Sequence, residues 1–281
     1  MALDLRRQLR DAGVEAYDME ARLLAAAATG KTREELLRDA RLYVTHPEHE
    51  AAAADMLRRR LQGEPVAYIA GEWEFYSLPI LVTRDVLIPR ADTEVLAETA
   101  IRLLRSRDGA PRVLDLCAGS GCVGLAVAAN VPGVRAVLAE LDPAARDVCN
   151  ANIRKNDLRR RVMCIEADAA ESPPKLLGRF DIIVCNPPYI PTDGLARLDA
   201  SVRDYEPRLA LDGGADGLRF YRTVSEKWRG LLKQNGVLAF ECGAGQAPDV
   251  RAVMVKNGFT RVTAIRDTRD LERVVIGIAE N

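Results

Sequence analysis

Histidine is scarce in this 281-residue chain, which carries only His46 and His49. The six cysteines (Cys117, Cys122, Cys149, Cys164, Cys185 and Cys242) form no Cys-x2-Cys pair and lie far in sequence from either histidine. Neither a zinc site nor a disulfide framework is expected. Most of these cysteines fall in apolar strands or helices and read as buried, inert thiols. His46 and His49 are three apart and could share a helical face, but with no third ligand they read as a solvated helix start, and no metal is expected. No apolar run approaches the roughly 20 residues that cross a bilayer, and the charged start Met1-Ala2-Leu3-Asp4-Leu5-Arg6-Arg7 lacks the apolar core of a signal peptide. A cytoplasmic protein without membrane contact is expected. The formal net charge of −1 argues against a wholly basic protein that coats nucleic acid, while leaving room for a local patch. No internal repeat or low-complexity tract stands out.

What is present is balanced. With 48% hydrophobic and 29% charged residues, the chain has an ordinary globular composition and length for one large domain or two smaller ones. Residues 1–65 read as a small helical domain. Thr32 with Glu35 forms a capping box, Gly30 and Gly63 are helix stops, and Pro47 suits a first helical turn. Nothing in it suggests chemistry, so it reads as scaffold or as a partner-orienting module. Residues 66–86 change character: Val66–Ala70, Trp73–Tyr76 and Ile80–Val82 are short, aromatic and β-branched, which predicts a β-hairpin linker. An extended piece, Val86 to Glu94, then leads into a helix ending near Arg105.

From there to residue 281, strands and helices alternate. Strands are predicted at 112–116, 134–140, 161–166, 180–185 and 236–242, and helices at about 122–130, 143–156, 218–233 and 246–256. This rhythm predicts a parallel sheet covered by helices on both faces. Thr260–Arg266 and Arg273–Ala279 are separated by too few residues for a parallel crossover, so one of them runs antiparallel to its neighbour. The fold class is therefore α/β: a Rossmann-like sheet of the methyltransferase variant with an antiparallel terminal strand, plus the N-terminal helical domain.

The most informative stretch is Asn186-Pro187-Pro188-Tyr189, directly after the apolar strand 180–185. Ligands bind at the carboxyl ends of strands in open α/β sheets. Asn186 offers one acceptor oxygen and two donor hydrogens. The prolines fix their own φ angles and push the preceding residues into extended conformation, so nearby carbonyls are aimed rigidly. With the flat ring of Tyr189, such a cup suits a planar group bearing an –NH2; the plainer reading is a tight turn after a strand.

A second motif runs Asp115-Leu116-Cys117-Ala118-Gly119-Ser120-Gly121-Cys122-Val123-Gly124. Gly119 and Gly121 permit a tight turn and close ligand approach, and Gly124 permits close packing of helix on strand. Such loops serve dinucleotide and methyl-donor sites alike. Glu140 ends the next strand about 20 residues on, where a ribose-binding carboxylate is expected. Asp142 competes for that role but is better placed to cap the helix that has Pro143 in its first turn. Asp168, with Ala169 beside it, follows the third strand and reads either as an acceptor for an adenine amino group or as a turn residue. Asp115 could orient the loop backbone or sit near the sulfonium charge of S-adenosylmethionine.

Taken together these motifs resemble the amino-group methyltransferases that use S-adenosylmethionine. Within that set the chain is similar, along almost its whole length, to the peptide-chain release factor N5-glutamine methyltransferase family. The matching pieces include Gly63–Ile69, Gly71–Phe75, Leu87–Glu94, Asn186–Ile190, Glu206–Gly214, Asp216–Leu218 and Glu241-Cys242-Gly243 with Gln246. The Ile-Pro-Arg and Glu-Pro segments discriminate, because Asn-Pro-Pro-Tyr is widely shared. Three positions depart from the pattern. Cys117 stands where the family has the first glycine of its loop, Glu140 where it usually has Asp, and Asp270 where it has Gly.

The resemblance implies donor contacts from Asp115, Cys117, Ala118, Gly119, Ser120, Gly121, Glu140, Asp168, Ala169 and Asn186. It also implies a substrate cup of Asn186, Pro187, Pro188 and Tyr189, in which Asn186 Oδ1 and the Pro187 carbonyl each accept one N–H of the glutamine amide. The implied substrate is the Gly-Gly-Gln loop of a class 1 release factor, with no direct nucleic-acid binding and a monomer favoured. Residues 191–217, including Arg197, Arg203 and Arg208, are expected at the mouth, and Arg90 with Glu94 as either an ion pair between domains or a substrate contact. The rival readings are glutamine methylation of a ribosomal protein, N-methylation of adenine N6 or guanine N2, and a nucleotide-binding module or nicotinamide oxidoreductase.

Overall fold

A computed structural model of the protein describes residues 1–38, 46–107 and 109–280. The part of the expected helical region at 39–45 lies outside the described residues. The chain forms two compact units, one made of Met1–Trp73 with Asp199–Tyr205 and the other of Glu74–Leu198 with Glu206–Asn281.

The first unit is helical: α1 (Ala2–Asp11), α2 (Tyr17–Thr29), α3 (Arg33–Arg38), α4 (Pro47–Leu61) and α5 (Val66–Ala70). Its core is built from Leu5, Leu9, Leu24, Ala25, Leu57, Val66 and Ile69. The capping box forms at α3, where Thr32 N–H donates to Glu35 and Glu35 N–H to Thr32 Oγ1. Gly30 ends α2 in the left-handed conformation, and Pro47 opens α4. Residues 66–70 are helical rather than β. An all-apolar run of five has no period from which to tell strand from helix. Pro65 at the N-cap and left-handed Gly71 at the C-cap close a single turn there, burying Val66, Ala67, Tyr68 and Ile69. Tyr205, from the later segment of this unit, donates its hydroxyl to the Gln62 carbonyl.

A hairpin of β1 (Glu72–Phe75) and β2 (Leu78–Leu81) follows. The second unit then runs α6 (Glu94–Arg105), β3 (Arg112–Leu116), α7 (Cys122–Asn130), β4 (Arg135–Glu140), α8 (Pro143–Lys155), β5 (Val162–Glu166) and β6 (Phe180–Cys185). After the short α9 (Ala200–Arg203) it continues as α10 (Arg219–Lys227), β7 (Leu232–Glu241), α11 (Ala247–Lys256), β8 (Thr260–Arg266) and β9 (Glu272–Ala279). The sheet has seven strands in the order β5-β4-β3-β6-β7-β9-β8. β3 to β7 are parallel, and β9 runs antiparallel to both β7 and β8. This is the expected methyltransferase variant, with β9 as its reversed strand.

One boundary differs. Helix α10 stops at Lys227, and β7 begins at Leu232, earlier than residue 236. Leu232 pairs with Phe180, after which β7 bulges before Val237 meets Ile182, with Asn235 at positive φ. The polar residues Lys233, Gln234 and Asn235 in that bulge conceal the strand. Among the described residues no helix is long and apolar enough to cross a membrane, and none form a cluster that could hold a metal ion. All six cysteines are free.

Candidate active site

Five parallel strands deliver their carboxyl ends to one edge of the sheet, where the loops enclose a cavity of about 260 Å³. Asp115, Cys117, Ala118, Gly119, Ser120, Glu140, Asp168, Ala169, Asn186 and Pro188 all line it. Gly121, Pro187 and Tyr189 do not. Gly121 is the left-handed N-cap of α7, and a Cβ there would point into Cys149 and Leu138. The Tyr189 ring packs on Gly243.

The glycine loop closes on the protein itself. Ala118 N–H donates to the Ala139 carbonyl, Gly121 N–H to the Ala118 carbonyl, and Gly119 N–H to Glu140 Oε2 at 2.8 Å. Glu140 Oε1 accepts from Asp142 N–H. Each of its carboxylate oxygens therefore retains acceptor capacity for a ligand hydroxyl. Asp142 caps α8 through Ala144 and Ala145. A pyrophosphate needs free N–H groups at such a turn; here those of Ala118, Gly119, Gly121 and Gly124 are spent and a carboxylate stands beside them. This arrangement disfavours the dinucleotide reading.

Asp115 is buried, and its Oδ2 accepts from Gly124 N–H at 2.8 Å. Burial pushes its pKa up to about 7, the Gly124 hydrogen bond opposes the rise, and the charge of Glu140 adds to it. The close approach requires glycine at 124, since a Cβ would lie 2.1 Å from Leu138 Cδ2. Asp168 turns its own chain, with Oδ1 accepting from Ala170 N–H, while the Ala169 carbonyl accepts from the buried Trp228 indole.

At the other end, the segment after β6 is held extended by residues 211–214. Ile190 N–H donates to Leu211, Gly213 N–H to Ile190, and Thr192 N–H to Gly214. Gln246 clamps the segment by donating from Nε2 to the Tyr189 carbonyl and accepting Gly243 N–H at Oε1. Nothing among the described residues donates to the Pro187 carbonyl or to Asn186 Oδ1. Asn186 Nδ2 lies 3.4 Å from Thr93 Oγ1.

Several contacts escape sequence reading. Asn152, fully buried on α8, donates to the Ser120 and Leu81 carbonyls and accepts Leu81 N–H, tying the hairpin to the glycine loop. The wall formed by Arg84–Leu87, Pro89, Pro207, Leu209, Ala210 and Phe220 also goes unpredicted as a unit. Arg90 pairs with Glu206 rather than Glu94, and Glu94 accepts Tyr76 N–H instead. Arg197, Arg203 and Arg208 each face a nearby carboxylate, on Asp193, Asp204 and Asp212 respectively.

The fold agrees with the relatives found by comparison. Residues 4–71 match the PrmC N-terminal domain, and residues 93–199 the methyltransferase small domain. In three dimensions the chain is similar to the hMettl16 catalytic domain, with TM-score 0.59 and 16% identity, covering 83% of this chain and 84% of that one. That likeness concerns the fold alone. The release factor glutamine methyltransferase of Agrobacterium fabrum is 38% identical over 273 residues, 96% of this chain and 93% of the relative. Its counterpart from Geobacter sulfurreducens is 40% identical over 97% of this chain and 93% of its own length. Similarity of that degree, sustained from one end of the chain to the other, makes the protein a member of the release factor glutamine methyltransferase family, in the class I methyltransferase group.

Proposed function

We propose that this protein transfers a methyl group from S-adenosylmethionine to the side-chain amide nitrogen of the glutamine in the Gly-Gly-Gln loop of class 1 peptide-chain release factors. The observation that carries the reading is a pair of unused acceptors, Asn186 Oδ1 and the Pro187 carbonyl, on a rigid segment at the rim of an acidic cavity. The cavity suits the donor. Glu140 offers spare acceptor capacity to ribose hydroxyls, Asp168 and Ala169 stand where the adenine would lie, and Asp115 with Glu140 favours a cation. The bound donor supplies an electrophilic methyl on a sulfonium.

A carboxamide nitrogen is a weak nucleophile because its lone pair is delocalised into the carbonyl. Acceptors for both of its hydrogens orient the remaining lone pair toward the donor and favour pyramidalisation. They also bind the positive charge that develops on the nitrogen, so they act more strongly on the transition state than on the ground state. Pro188 and the half-buried Tyr189 ring exclude water from the planar group. The transfer is direct: the N–C bond forms as the S–C bond to the methyl breaks, leaving a neutral thioether, and a strong base is unnecessary before attack because the N–H then becomes acidic and gives up its proton to solvent. The family setting supports a cytoplasmic location.

The test is methyl transfer from labelled donor to purified release factor, beside its Gln→Ala variant, ribosomal protein and nucleic acid. Labelling confined to the intact release factor is expected. In the same assay Asn186→Ala should lose roughly 100-fold in turnover while donor affinity is largely kept. Labelling of nucleic acid or ribosomal protein instead would displace this reading.

A further inference from the structure

The Asn186 carboxamide has an accepting end and a donating end of nearly equal size, and the end presented to the substrate decides what the site can hold. Asn186 follows β6 directly, and Glu241 is the last residue of β7. The parallel pairing of Cys185 with Phe240 places the two side by side. Thr93, just before α6, completes the group, with its Oγ1 3.4 Å from Asn186 Nδ2. The Thr93 hydroxyl and the Asn186 amide both face the Glu241 carboxylate, and each favours its ionised form. Thr93 and Glu241 are 2% and 3% exposed, so water does not compete for these bonds.

Glu241 Oε2 has no hydrogen-bond partner. Above about pH 7, where it is ionised, this carboxylate can only accept, so it is satisfied by the NH2 end of Asn186 and opposed by its carbonyl end. Because Thr93 Oγ1 accepts from Asn186 Nδ2, its single hydroxyl hydrogen is free to point at the carboxylate. A flipped amide would set acceptor against acceptor in the interior and offer NH2 to the NH2 of an incoming amide.

We propose that Glu241, acting with Thr93, is the positioning group that holds the Asn186 carboxamide with Oδ1 facing the substrate. The inference rests on the glutamine-amide reading above and assigns the specificity of that site for an N–H donor to two residues behind it. Neither touches the reacting atoms; both act through Asn186.

The test uses the full chain, purified release factor and labelled donor, with donor affinity measured separately by calorimetry. Glu241→Leu is expected to lower kcat about 100-fold, the loss associated with small misplacements of reacting groups. KM for the release factor and donor Kd should stay within about threefold, since uniform binding is untouched. Glu241→Gln, whose carbonyl can still accept from Thr93 and Asn186, recovers most of the loss. In an Asn186→Ala background Glu241→Leu causes no further loss, because a residue acting through Asn186 has nothing left to position.

Additive losses in the double variant, or normal kcat in Glu241→Leu, would overturn the inference. Should Glu241→Leu fail to fold, Thr93→Val takes its place, with a loss of about tenfold that vanishes in the Asn186→Ala background. Absence of labelling by the unsubstituted chain would overturn the glutamine reading and this inference with it. Labelling by the unsubstituted chain with additive variant losses overturns this inference alone.

Discussion

The Arg90 guanidinium pairs with the Glu206 carboxylate, which is almost wholly buried and also accepts Ile88 N–H. The two residues belong to the Ile-Pro-Arg and Glu-Pro segments, 116 positions apart in the chain. The segments that best discriminate this family by sequence are thus one physical unit, joining the stretch before α6 to the cavity wall at Pro207. Arg90→Met would leave a buried carboxylate uncompensated and should cost roughly 3 kcal/mol, as for other broken buried pairs. Urea denaturation of the two proteins measures the difference.

Cys117 adopts φ +57° and Asp270 φ +63°, the left-handed region in which L residues are strained. By the resemblance drawn from the sequence, both stand at glycine positions of the family, so the departures have a common physical cost. Cys117→Gly exchanges that strain for the larger unfolded-state entropy of glycine. A net gain of about 0.5–1 kcal/mol is expected, or a rise of about 2 °C in Tm by scanning calorimetry.

Burial pushes Glu241 up to about 7 from an ordinary value of 4.5. The folded protein then holds this proton more tightly than the unfolded chain does. The stability it confers is complete below about pH 4 and is lost as pH rises through about 7. Relative to Glu241→Gln, which cannot ionise, the unsubstituted protein should lose about 3 kcal/mol between pH 4 and pH 8. Tm against pH for both proteins gives the comparison. A parallel pair of curves would contradict it.

Gln246 is the clamp on the segment after β6, bonded to both the Tyr189 carbonyl and Gly243 N–H. Gln246→Leu abandons both groups, at a cost of about 1–3 kcal/mol for each that stays dry. Loosening of the segment should lower kcat at least tenfold, with donor affinity little altered. Single-turnover kinetics beside donor calorimetry separates the two effects.

Sequence reading was most informative where local rules decide the outcome. The apolar strand Val113–Leu116, the glycines at 119, 121 and 124 and the helix from Cys122 form a strand–turn–helix unit whose parts lie within reach of one another. The reversed β9 followed from connection length alone. Val66–Ala70 misled because five apolar residues carry no period. Asn152 gave no signal, since a polar residue within a helix ordinarily reads as solvent-facing, and only the folded chain brings Leu81 and Ser120 to its amide. The Arg90–Glu206 pair is a tertiary contact that local spacing cannot indicate. Glu241 was visible as part of a motif, but its burial against Asn186 depends on the pairing of β6 with β7.

The self-contained glycine turn has a consequence for turnover. The Asp115 and Glu140 carboxylates, beside a turn whose Ala118, Gly119 and Gly121 amides are already engaged, add to the attraction for a ligand while that ligand is cationic. On the methyl-transfer reading proposed above, the sulfur is neutral once the methyl has departed and that part of the attraction lapses. On that reading the resting protein's own electrostatics weaken its hold on the spent donor, while the contacts to ribose and adenine are kept.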